Sequence, residues 1–144
     1  MEYMLKIHQF GIMSAPTMSQ YAAISALRNG DKDTEMMTES YNQRRRFLME
    51  AFSEMELPCF EPYGAFYTFP DISEFGMGSE EFCEKLLKEE NVAVVPGSAF
   101  GKSGDKHVRI SYCYSVEELK EAMERIARFV AKLRSEEKDK AKER

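Results

Sequence analysis

The chain has 144 residues, of which 43% are hydrophobic and 31% charged, and its 25 acidic and 20 basic side chains leave a formal charge of −5. That size and mixture suit a compact domain with a sizeable core and exclude a disordered or fibrous chain. The acidic balance argues against nucleic acid or an anionic lipid surface as a partner, and a mean hydropathy of −0.50 leaves no apolar run able to span a bilayer.

Over 17–28, Met18, Tyr21, Ala22, Ile24 and Leu27 mark one face of a short helix, with Pro16 before its start and Asn29-Gly30 at its end. A polar hinge over 29–34 follows. From Glu35 to Glu56, Met37, Tyr41, Leu48, Phe52 and Met55 recur at helical spacing, and Arg44, Arg45 and Arg46 read as a solvated face. This predicts the longest element. After Pro58 the pattern turns extended, with short strands over 59–61 and 65–69 around a turn at Pro62-Tyr63-Gly64. Ser79 is placed to cap a helix that ends near Asn91, and 92–95 is an apolar strand closed by Pro96-Gly97.

Residues 106–112 alternate, with Val108, Ile110 and Tyr112 on one face and His107, Arg109 and Ser111 on the other. Arg109 is thereby expected to point away from the packed side. Ser115 and Glu118 form a capping box that opens an amphipathic helix through Leu133, and the almost wholly charged stretch 134–144 is expected to fray. The order of elements predicts an α+β fold, a small sheet covered by helices. Residues 1–33 fit it poorly, because Leu5, Ile7, Phe10, Ile12, Met13, Ile24 and Leu27 have no strand partners and call for a surface elsewhere.

Among residues able to carry chemistry, Arg109 is the most informative. A guanidinium between Val108 and Ile110 in a strand needs an anion or water, and spacing alone leaves open either a ligand carboxylate or a local glutamate. The loop 95–101, VPGSAFG, carries two glycines that let backbone amides approach a ligand, but it matches neither a P-loop nor a dinucleotide fingerprint. PYGAFYTF over 62–69 reads as core packing rather than an aromatic binding box. His8 and His107 are isolated, which makes a metal site improbable. Cys59, Cys83 and Cys113 match no metal spacing and cannot all pair within one chain; with no signal-peptide pattern at the N-terminus, they predict reduced thiols in the cytoplasm. Cys113 reads as a buried structural thiol, and Met13, Met18, Met36 and Met37 read as core filling.

Four blocks in order, SAPTMSQYAA at 14–23, PYGAFYTFPDIS at 62–73, VAVVPGSAFG at 92–101 and HVRISYCYS at 107–115, resemble the C-terminal part of class I/II aminotransferases, pyridoxal-phosphate enzymes of the aspartate aminotransferase fold. The resemblance covers roughly residues 5–133. It implies that Arg109 grips the substrate α-carboxylate, with Gly97, Ser98 and Phe100 as further substrate-binding positions. It also implies that residues 11–17 lie near a dimer interface.

The same resemblance implies that the Schiff-base lysine, the aspartate facing the pyridinium nitrogen and the phosphate-gripping residues belong to a part of the family that this chain does not carry. No lysine here matches the family's motif. The expectation is a fragment, inactive alone and binding no pyridoxal phosphate itself, of a parent that exchanges an amino group between an amino acid and a 2-oxo acid. In that reading 1–33 is a remnant of the large cofactor-binding domain, 34–56 a connecting helix, 57–133 the small C-terminal domain and 134–144 a charged tail, within a homo-oligomer. The alternative is a stand-alone α+β module for ligand binding or dimerisation; a nucleic-acid-binding module is a distant third.

Overall fold

A computed structural model describes residues 1–11 and 13–142, so Ile12 and the last two residues of the tail lie outside the described residues. The chain forms two compact units, 1–39 and 40–144. The first holds helices α1 (Glu2–Gly11) and α2 (Thr17–Asn29) and the opening turns of α3 (Asp31–Glu54). No side chain of α1 or α2 is buried. In place of the expected polar hinge, one residue joins α2 to α3. Gly30 donates its amide to Ala26 O, and a Cβ there would come within 2.5 Å of that same oxygen. The methionines expected to fill a core are exposed: Met13 at 84% and Met18 at 81%, with Met36 and Met37 also open.

The second unit packs the rest of α3, α4 (Ser79–Glu90) and α5 (Val116–Lys142) with a three-stranded antiparallel sheet, confirming helices with a small sheet as the fold class. The strands are β1 (Tyr67–Thr68), β2 (Val95–Pro96) and β3 (Val108–Ser111), in spatial order β1-β3-β2. β3 is central, so its apolar alternation decides what faces inward. Val108, Ile110 and Tyr112 are buried against Phe82 and Leu86 of α4, Leu48 and Phe52 of α3, and the apolar stripe of α5. Phe82 and Phe129 meet edge to face at 5.2 Å, joining α4 to α5. Burying each of these large side chains contributes about 1.5–3 kcal/mol.

Three expectations change. The apolar run at 92–94 alternates in burial like a strand yet makes no ladder pairing among the described residues; Val95–Pro96 joins β3. The segment 59–61 makes one isolated bridge, Cys59 to Pro70. The charged stretch after Leu133 does not fray at 134: α5 continues to Lys142, anchored where Arg134 donates to Met55 O and Glu56 O and pairs with Glu74. Those bonds satisfy carbonyls at the end of α3, where Glu56 holds a left-handed φ of 53°. Periodicity identified the buried face of α5 but not these partners, which lie just past the end of α3 and at Glu74.

Candidate functional site

β3 places its odd residues on the open face of the sheet. Tyr67 pairs with Ser111, and Val95 with Arg109, so Tyr67, Val95, Arg109 and Ser111 share that face while Thr68, Val108 and Ile110 turn to the core. Arg109 is half-buried and points away from the packed side, as the alternation predicts. Its guanidinium carbon lies over the Tyr67 ring at 4.4 Å and over the Phe100 ring at 4.7 Å. Its Nε is buried without a hydrogen-bond partner. Among the described residues no carboxylate pairs with it. The local-glutamate reading therefore has no partner to rest on.

Both rings present their faces to the cation, and a guanidinium's donors all lie in its plane, along its edges. A planar anion meeting such an edge forms two parallel charge-assisted bonds, which a lysine ammonium cannot do. A cleft of about 560 Å³ between 91–95, β3 and the first turns of α5 is lined by Arg109 together with core-facing Ile110, Leu119 and Met123, and neither Tyr67 nor Phe100 borders it.

Phe100 stands at the end of a 3₁₀ turn, Gly97–Phe100, followed by a second, Lys102–Lys106. Gly101 links them at φ +126°, a conformation that only glycine adopts without strain. Phe100 is also braced edge to face by Phe69 at 5.7 Å. Of the expected contacts, Phe100 is the one brought against Arg109. Gly97 is buried and gives its amide to His107 O, while Ser98 gives its amide to Ser79 Oγ and its hydroxyl to Glu80. The loop amides expected to approach a ligand are thus occupied within the protein.

Several residues stand differently from their sequence readings. Tyr67 and Phe69 of PYGAFYTF belong to the Arg109 face, not to the core. The register with β3 that separates them from the core residues is a property of the folded sheet. Ser79 is not the cap of its own helix: the preceding residue is Gly78, and Ser79 is buried with its amide and hydroxyl both donated to Asp105 Oδ1 at 3.0 Å. Cys113 is exposed, its Sγ 3.0 Å from Ser111 Oγ. In the arginine run only Arg46 is solvated, since Arg44 donates to Cys113 O and Arg45 pairs with Asn42 and Glu61. The Ser115–Glu118 capping box forms as expected: Glu118 N donates to Ser115 Oγ, and Ser115 N donates back to Glu118 Oε2. No helix among the described residues is long and apolar enough to cross a membrane.

The Arg109 cation thus stands against two aromatic rings on the open face of a small antiparallel sheet in an α+β unit. Residues 1–126 match the family Aminotransferase class I and II, and the chain belongs to that family. It is 52% identical over 129 residues to the protein YugH of Bacillus subtilis, covering 90% of this chain and 33% of that one. An aspartate aminotransferase of Pyrococcus abyssi is 45% identical over 131 residues, covering 90% and 34%. The crystal structure of an aromatic aminotransferase from Pyrococcus horikoshii superposes with a TM-score of 0.82 at 45% identity, covering 91% of this chain and 36% of that one. The chain thus spans about a third of the length of the relatives it matches.

The family implies pyridoxal phosphate. The side chains that line the Arg109 cleft do not fit that group, because no lysine is among them to form the imine on which its chemistry depends.

Proposed function

We propose that this chain supplies the substrate-carboxylate grip of a pyridoxal-phosphate-dependent aminotransferase, whose reaction exchanges an amino group between an amino acid and a 2-oxo acid. The observation that carries the reading is the Arg109 guanidinium, backed by Tyr67 and Phe100 and without an acidic partner among the described residues. Arg109 takes the carboxylate edge-on, Phe100 covers the ligand's approach, and Gly97 and Ser98 hold the loop that presents Phe100. Fixing the carboxylate at one end orients the rest of the amino acid, which is how positioning lowers a barrier. Alone, the chain binds carboxylates and does not transaminate. Residues 57–133 serve as the small domain of that enzyme and 1–33 as part of the large one, and the three free cysteines suit a cytoplasmic setting.

The test is an NMR titration of the 144-residue chain with maleate, followed at the Arg109 Nε–Hε signal. A shift that saturates with a dissociation constant on the order of 10 mM, and that dimethyl maleate does not produce, supports the reading. Equal responses to the acid and the ester would sink it.

The exposed side chains of α1 and α2, among them Tyr3, Ile7, Phe10, Tyr21 and Leu27, support self-association of the chain. Light scattering at high concentration checks this, and a strictly monomeric species argues against it.

A further inference from the structure

We propose that Asp105 and Ser79 are positioning residues for the carboxylate grip, holding the Gly97–Phe100 turn so that Phe100 lies on Arg109. The inference rests on the proposed role of Arg109 and adds residues that lie outside the aromatic cage. Ser79 is fully buried at the start of α4, and Asp105 lies in the second 3₁₀ turn, 26 residues later. Their contacts have one direction. Ser79 has a single hydroxyl proton, which it donates to Asp105 Oδ1 at 3.0 Å; that leaves its lone pairs to accept the Ser98 amide at 3.1 Å. The Asp105 carboxylate also accepts the Ser79 amide, tying itself to the first turn of α4.

Asp105 therefore fixes the Ser79 rotamer, Ser79 fixes the Ser98 amide, and two residues further along the same 3₁₀ turn stands Phe100. The ends of the turn are held separately. Gly97 and Gly104 pack backbone against backbone, Gly97 N is held by His107 O at 3.0 Å, and Gly101 N returns to Ser98 O at 3.1 Å. Removing the serine hydroxyl leaves the Ser98 amide with no acceptor, and a half-buried amide regains one by turning toward water. That rotation carries the Phe100 ring off the guanidinium.

The experiment compares Ser79→Ala and Asp105→Asn with the parent chain through two readouts. The first is the ring-current shift of the Arg109 Nε–Hε signal, which reports the Tyr67 and Phe100 rings without any ligand; the second is maleate affinity. Hydrogen exchange of the Val108 and Tyr112 amides, which donate to Pro70 O and Phe66 O, reports whether the sheet is intact. With exchange unchanged, Ser79→Ala is expected to lose about half of the ring-current shift and to bind maleate about fivefold more weakly, with Asp105→Asn between it and the parent. Loss of sheet protection in both variants, or an unchanged Arg109 signal with the sheet intact, overturns the positioning role. If the Arg109 signal moves while the parent chain binds no maleate, the positioning role stands and the carboxylate-grip reading fails; an unmoved signal in a parent that binds maleate gives the reverse.

Discussion

Gly97 and Gly104 meet backbone to backbone: a Cβ built on either comes within 2.1 Å of the other's carbonyl oxygen. The contact closes the two 3₁₀ turns onto each other and so sets where Phe100 stands relative to Arg109. Neither glycine has a positive φ, so each is required for space and not for conformation.

Gly104→Ala therefore forces the two strands of backbone apart and is expected to cost about 1–3 kcal/mol. The cost shows as a lowered thermal midpoint, together with a weaker Arg109 response to maleate. Gly64→Ala is the control, because a Cβ there meets nothing within 4 Å.

The capping box of α5 gives a pH dependence. Hydrogen bonds from the Ser115 hydroxyl and amide hold the Glu118 carboxyl below its usual value of 4.5. A folded-state value below the unfolded one means that the stabilisation is fully present above the unfolded value and is lost as pH falls through the folded one. Thermal melts of the parent and of Ser115→Ala should therefore differ most at neutral pH, and the gap should narrow without closing as pH falls through the carboxyl range, because the Glu118 amide bond to Ser115 Oγ does not titrate. A gap of the same size at every pH would argue that the Ser115 hydroxyl acts only as the acceptor of the Glu118 amide.

Much of this was legible before the structure. Alternation over 106–112 put Arg109 on the open face, because a central strand buried on one side has a single acceptable parity. Ser115 and Glu118 declared α5 through local chemistry that needs nothing distant. The failures share a cause. Ser79 reads as a cap by position, but the acceptor that claims it arrives from residue 105 in a turn without periodicity. Arg134 reads as the start of a solvated tail, yet its fork reaches the end of α3, 78 residues away along the chain at Glu56. Tyr67 and Phe69 were hidden in an aromatic run whose two faces separate only once its pairing with β3 is known.

The absence of a lysine along the Arg109 cleft predicts how the chain treats pyridoxal phosphate. Incubation followed by borohydride should give only scattered, substoichiometric labelling of surface lysines by mass spectrometry. One adduct per chain at a single lysine would show that this chain holds a cofactor site of its own.

The most direct measurement is maleate affinity across Arg109 variants, followed at the Ser111 and Tyr112 amides, with the sheet monitored by hydrogen exchange. Arg109→Gln keeps length and polarity but removes the charge, and binding is expected to disappear; Arg109→Lys keeps the charge but loses the planar fork, and binding is expected to weaken about fivefold. Binding by Arg109→Gln equal to that of the parent would contradict the assignment of Arg109 as the carboxylate grip.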